Sequence, residues 1–405
     1  MRLIRQVISV LLVFSMATAS ISYSAAPKPT ELYAISACLM DADTGRVLYA
    51  KNCDEVRAMA STTKIITLVI ALEYGNLQDV VTVSQYAASM PDVQLNIRQG
   101  EQYVLSDLCY GMMLESYNDV AVAIAEHIGS MYCDVEEQDA AKRSVEESKA
   151  CVAAFTGLMN SKAAELGCTN TYFITPNGLD AQDENGKHST TARELAMIAA
   201  YAVQNEDFNT ITATRSHSFS EVNGKRSCSA NNKDAFLDQM KGAFGIKTGF
   251  TGDAGYCFVG ALRSDGRVFI TVVLGSGWPG NRTYKWKDTR KLMEYGVNNF
   301  FEKKVFTTVE EYKRVAVLDG KAESTGTRID GELSMLLNDT DKVRVIYELE
   351  DYVMAPVNVG DTMGKAIIYI NDERYTAFPI TATEAVEQVD YRWFLKMVLD
   401  NLLIS

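Results

Sequence analysis

Apolar and polar positions repeat along this chain with two different periods, and the changes of period divide it. Residues 32–40 and 46–51 read as strands joined by Asp41-Ala42-Asp43-Thr44-Gly45, a turn-rich linker of hairpin length. From 61 to 74 the period becomes helical, with Ile65, Leu68 and Leu72 on one face. Further helices are predicted over 105–114, 119–128, 151–166 and 191–203. Residues 131–149, dense in Glu, Asp and Lys, read as a solvated helix or surface insertion. The strand period returns at Ala243: 244–250 is short and glycine-flanked, and 255–263 and 267–275 form a hairpin around Ser264-Asp265-Gly266. Residues 290–301 are again helical. Strands, then helices, then strands imply an α+β fold, an antiparallel sheet whose edges come from both ends of the domain, with helices packed on it.

The character shifts near residue 302. Short alternating strands at 314–318, 343–349, 366–370 and 376–380, with no helical stretch among them, predict a small all-β domain over 303–383. Residues 384–405 read as an amphipathic helix, with Arg392, Lys396 and Asp400 along one stripe and Tyr391, Phe394, Leu395, Val398 and Leu402 opposite. It is too short and too charged to span a bilayer. An apolar face flanked by Arg392, Trp393 and Lys396 predicts that it lies in the membrane interface.

Composition narrows the partners. The chain has 405 residues and a net charge of −13, with no basic stripe, so nucleic acid is excluded as an expected partner. Arg2 and Arg5, the apolar run 7–17 and the small residues around Ala19 and Ala26 have the order of a secretory signal, predicted over 1–26. Eight cysteines in an exported protein permit disulfides, and Cys133 and Cys151 flank the polar insertion and are placed to close it as a loop. Cys109, in an apolar helix, reads as a buried thiol. The three histidines, His127, His188 and His217, match no metal spacing, and neither a metal nor a cofactor is expected.

Three short motifs carry the chemistry: Ser61-Thr62-Thr63-Lys64, Ser116-Tyr117-Asn118 and Lys247-Thr248-Gly249. The first opens an apolar helix, the second precedes a helix, and the third lies on a glycine-bounded strand. A serine hydroxyl needs an adjacent base to act as nucleophile, and a lysine three residues on shares its helical face. Burial and a second cation such as Lys247 would lower the Lys64 pKa so that its amine accepts a proton. Ser116 can relay a proton to the leaving amine, and the Asn118 amide can hold substrate backbone. Lys247 and Thr248 suit a substrate carboxylate, Gly249 permits close backbone approach, and the N–H groups of Ser61 and Phe250 are expected to face the oxyanion.

With its flanking segments, this set resembles the D-alanyl-D-alanine carboxypeptidases of peptidase family S11, low-molecular-mass penicillin-binding proteins. The segments are Arg57-Ala58-Met59-Ala60-Ser61, Leu114-Glu115-Ser116-Tyr117-Asn118-Asp119, Met159-Asn160 through Leu166-Gly167, Thr171-Tyr172-Phe173, Gly178-Leu179 and Ser189 through Ala196. The resemblance implies a penicillin-binding-protein/β-lactamase-like catalytic domain over 27–302 and removal of the terminal D-alanine from peptidoglycan stem peptides through a Ser61 acyl-enzyme. It further implies acylation by β-lactams, attachment to the outer face of the cytoplasmic membrane, and a carboxylate-holding role for Arg193. Two departures stand out: Tyr117 where glycine is usual, and the long 131–149 segment. A β-lactamase and a catalytically idle cell-wall-binding protein are the rival readings. The first lacks a Glu-x-x-Leu-Asn segment between Asn118 and Lys247 and would not need the β domain; intact Ser61, Lys64 and Lys247 oppose the second.

Overall fold

The computed structural model describes residues 27–403; the expected signal segment lies outside them. Strands β1 (Ser36–Asp41) and β2 (Val47–Lys51) form the expected hairpin. A helical region follows: α1 (Lys64–Tyr74), α2 (Leu105–Leu114), α3 (Asn118–Gly129), α4 (Val145–Glu165), α5 (Ala192–Ala202) and α6 (Glu206–Ala213). Strands β3 (Ala243–Thr251), β4 (Gly255–Ser264) and β5 (Arg267–Leu274) then join the first two, and α7 (Tyr284–Asn299) closes the layer.

The sheet order is β2-β1-β5-β4-β3, antiparallel throughout, so its edges come from both ends of this region. Period-two alternation splits its side chains between two cores. Cys38, Met40, Val259 and Val272 face the helical layer around α1, while Ala37, Leu39, Phe258 and Val273 meet Leu292 and Met293 of α7. Helix α1 is buried from Lys64 through Ala71, which explains why its sequence is apolar on every side rather than along one stripe.

Helix α4 begins six residues before the predicted start. Ser144 accepts from Glu147 N while the Glu147 carboxylate accepts from Ser144 N, a capping box inside the stretch read as insertion. Among the elements that escaped prediction are α6 and the hairpin Ser216–Ser220 with Ser227–Asn231, whose serine-rich strands lack apolar alternation.

Strand Phe301–Phe306 pairs with Leu333–Leu337 and opens the β region, so the division expected between 302 and 303 falls within it. A four-stranded sheet carries Val343–Leu349, Thr362–Ile370, Glu373–Ala382 and Thr327–Ile329. The terminal helix is shorter than expected, α8 (Tyr391–Leu403). Residues 384–390 instead stay with the β region: Val386 is buried and bridges Val357, and Glu387 pairs with Lys321. The β region meets the catalytic region where Arg46 pairs with Asp341 at 2.7 Å and Tyr375 Oη donates to Thr44 O at 3.3 Å.

Candidate active site

The first motif folds as a single 3-10 turn, Ala60–Thr63, running into α1 at Lys64. Ser61 is therefore not a helix cap, and Ala60 before it sits at φ 49°, a conformation that costs a non-glycine residue energy. Lys64 is fully buried, with Nζ 3.0 Å from Ser61 Oγ and 2.8 Å from Asn118 Oδ1, and bonded to Asn177 O. Burial, then the charge of Lys247, hold the Lys64 amine well below the usual lysine range, with Asp119 opposing.

Asn118 comes to Lys64 by a route the sequence did not show. Its Nδ2 donates to Pro91 O and Asp92 O, and its backbone N–H donates to Val93 O. Asp119 fixes the same loop by accepting Leu95 N and Ile97 N, both at 3.1 Å. The Asn118 amide thus donates both its N–H bonds to the 91–92 backbone and turns its oxygen to the Lys64 amine. Ser116 sits at φ 71°, and its buried Oγ has no hydrogen-bond partner among the described residues. The Tyr117 ring lies over Gly111 of α2 and packs with the helical core; a Cβ at Gly111 would stand 3.4 Å from it.

A second unpredicted loop, 174–180, closes the site from beneath. Thr67 Oγ1 donates to Pro176 O at 2.6 Å and Thr251 Oγ1 to Asp180 Oδ1 at 3.1 Å. Gly178 has φ 86°, and a Cβ there would lie 2.1 Å from Ala60 O, so only glycine allows the loop to reach the Ala60–Thr63 turn. Buried His188 props the arrangement, with Nε2 2.8 Å from Thr63 Oγ1 and Nδ1 accepting from Ile174 N; burial, with Lys64 nearby, pushes its pKa down to about 4.

On edge strand β3, Lys247 and Gly249 share a face. A Cβ at Gly249 would be 3.0 Å from Ser61 N, which places the strand's backbone against the nucleophile turn. Thr248 and Phe250 fall on the other face, where the Phe250 ring meets Tyr256 at 4.6 Å. Lys247 is buried, and desolvation brings its pKa down to about 7 against the pull of Asp234. Asp234 is itself pushed up to about 7 by burial.

Arg193 does not join this set. Its guanidinium is paired with Asp54 at 2.5 Å and contacts Cys53 Sγ at 3.3 Å, beside Arg46 and Val47 of β2. Strands β2 and β3 are opposite edges of the sheet, four spacings or roughly 19 Å apart. The expected contact of Arg193 with the substrate carboxylate is therefore replaced by a structural ion pair.

Comparison with known proteins follows the same lines. The family model described as D-alanyl-D-alanine carboxypeptidase, Peptidase S11, matches residues 23–134 and 137–277. The chain belongs to that family. A second model, the penicillin-binding protein 5 C-terminal domain, matches residues 300–388. Among S11 relatives, the D-alanyl-D-alanine carboxypeptidase DacF of Bacillus subtilis is 29% identical over 374 residues, 90% of this chain and 89% of the relative. A D-alanyl-D-alanine carboxypeptidase of a Streptomyces species is 33% identical, over 67% of this chain and 90% of the relative. The crystal structure of penicillin binding protein 5 from Haemophilus influenzae superposes with a TM-score of 0.69 at 26% identity, covering 90% of this chain and 100% of that one. The Streptomyces K15 DD-transpeptidase gives 0.58 at 31% identity, over 67% of this chain and 98% of its own. The S11 fold thus brings Ser61, Lys64, Asn118, Lys247 and Gly249 together and leaves Arg193 at the far edge.

The approach of Gly178 yields a test. Gly178→Ala should lower the rate of Ser61 acylation by a fluorescent penicillin at least about 10-fold and destabilise the fold by about 1–3 kcal/mol. Stopped-flow labelling and urea unfolding read the two effects, and wild-type values in both would refute the close-approach argument.

Proposed function

We propose that this protein removes the terminal D-alanine from peptidoglycan stem peptides through an acyl-enzyme on Ser61. The observation that carries the reading is the fully buried Lys64 amine 3.0 Å from Ser61 Oγ, with its pKa held down by desolvation. A neutral amine there takes the Ser61 proton as the hydroxyl attacks the scissile carbonyl. The Ser61 N–H and the β3 backbone at Phe250 stabilise the oxyanion, with Gly249 allowing the approach. Ser116 relays the proton to the leaving amine, and Lys247 holds the terminal carboxylate, without the partner expected in Thr248, which lies on the other face of β3. Water then releases the acyl group. β-Lactams, which present a strained amide and a carboxylate, would acylate the same serine and leave slowly.

Residues 27–300 are taken as the catalytic unit and 301–390 as a β unit. In α8, Phe394, Leu395, Val398 and Leu399 are exposed, and no helix among the described residues is long and apolar enough to cross a membrane. An exposed apolar stripe beside Arg392 and Lys396 supports interfacial attachment on the outer face of the cytoplasmic membrane after export.

Four outcomes test these statements. With a peptide ending in D-Ala-D-Ala, wild type should release D-alanine and Ser61→Ala should fall to background. With penicillin, wild type should form a long-lived adduct that the variant lacks; rapid penicillin turnover would support a β-lactamase instead, and neither product would support an idle binding protein. The pH profile of kcat/KM should be bell-shaped. Activity is lost as pH falls through the lowered Lys64 pKa, because the base becomes protonated. It is lost again as pH rises past about 7, because free Lys247 loses the charge that binds carboxylate. Lys247→Arg, cationic throughout, should move the falling limb to higher pH, and an unmoved limb would exclude Lys247 as its source. Truncation after Val389 should release the protein from anionic vesicles in a flotation assay; co-flotation of the truncated chain would overturn the interfacial role.

A further inference from the structure

Segment 130–144 leaves the end of α3 and re-enters helix at α4, using residues that the catalytic motifs do not need. It is internally tied. Arg143 donates from Nε to Glu137 O and from Nη2 to Gln138 O, both at 3.0 Å, and Glu147 accepts Glu137 N at 3.1 Å. It also touches the site's support: Gln99 Nε2 donates to Ala141 O at 2.6 Å, directly after the 91–97 loop that holds Asn118.

Within this segment the Cys133 thiol lies 3.7 Å from Cys151 Sγ, 18 positions further on. Cys133 is partly exposed, and Cys151 is buried on α4 where the helices are closest, a Cβ on Gly129 standing only 1.9 Å from Cys151 O. No other two cysteine sulfurs among the described residues lie within hydrogen-bonding distance of each other. We propose that Cys133 and Cys151 form an intrachain disulfide that pins the 130–144 segment to α4, behind the loop that positions Asn118.

The chemistry is thiol–disulfide exchange with a small disulfide oxidant such as oxidised glutathione. The accessible Cys133 thiolate attacks one sulfur of the oxidant, breaking its S–S bond and releasing one thiolate. Cys151, already in contact, then attacks the Cys133 sulfur of the mixed disulfide and expels the second. The two cysteines lose two electrons, the oxidant gains them, and the two protons end on the two released thiols. Bond formation needs the sulfurs to close to about 2 Å, a movement the loop-borne Cys133 can supply. The closed loop removes conformational freedom from the unfolded chain, and so raises stability.

The test uses the full chain equilibrated in a glutathione redox buffer, blocked with iodoacetamide and digested without reductant. The expected result is a peptide pair joined through Cys133 and Cys151, two hydrogens lighter than the separate thiol peptides. The oxidised protein should melt roughly 5–10 °C above the dithiothreitol-treated protein. Cys133→Ser, which alters only a partly exposed loop thiol, should melt with the reduced wild type whether or not dithiothreitol is present. Alkylation of both thiols in the folded wild type, pairing of either with another cysteine, or an equal effect of dithiothreitol on Cys133→Ser would overturn the proposal.

Discussion

A primary amine with no exposed surface, held by one hydroxyl and two amide oxygens, sets the conditions for everything around it. The oxygens of Asn118 and Asn177 can only accept, so two Lys64 N–H bonds must point at them. In a neutral amine that leaves one lone pair, and the third neighbour at 3.0 Å is the Ser61 hydroxyl. The hydrogen-bond inventory therefore favours a proton on Ser61 and a lone pair on Lys64, which is the starting state for proton abstraction. A charged amine at full burial would carry a large desolvation cost with no carboxylate in hydrogen-bonding contact to offset it.

Holding that amine requires chain segments distant in sequence, and the fold supplies them from different directions. Strand β3 comes from the edge of the sheet, with Gly249 letting its backbone lie against Ser61 N. The 174–180 loop comes from beneath, admitted by Gly178 and tied to α1 through Thr67 and to β3 through Thr251. The 91–97 loop comes from the α3 side, fixed by Asp119. Strain accumulates where these meet, at Ala60 and Ser116, both at positive φ. Packing from three sides holds conformations that neither residue would adopt alone.

What the sequence disclosed follows from which features leave a trace in side-chain identity. Helix α2 was legible to the residue because its burial alternates with helical period, and the β4–β5 hairpin because its turn carries Asp265-Gly266. That Ser61, Lys64, Asn118, Lys247 and Gly249 lie together was legible because they recur in three ordered motifs whose residue types suit one chemistry. The 91–97 and 174–180 loops act largely through backbone carbonyls, which every residue possesses, so their role left no signal beyond Gly178. The anchoring of the Asn118 amide was hidden for the same reason: its partners, Pro91 O and Asp92 O, are main-chain atoms. Arg193 was misjudged because a motif position gives no sheet edge. Only the structure shows that Arg193, at the start of α5, lies beside the segment that follows β2, where Asp54 takes its charge.

Removing Arg193 from the cleft places the cationic role on a lysine, next to another lysine that must stay uncharged. Two ammonium groups in each other's field compete for protonation, and their surroundings decide the outcome. Lys64 is in contact only with a hydroxyl and amide oxygens, and the field of Lys247 adds to its desolvation. Lys247 is equally buried, yet Asp234 and Glu115 pull its affinity for a proton back up to about 7. On the proposed mechanism the charge sits on Lys247, whose field also disfavours a charge on Lys64. A substrate carboxylate arriving beside Lys247 would strengthen that assignment by stabilising its charge. In the proposed mechanism one residue type thus serves as base at Lys64 and as cation at Lys247, and Asp234 with Glu115 favours the charge on the second.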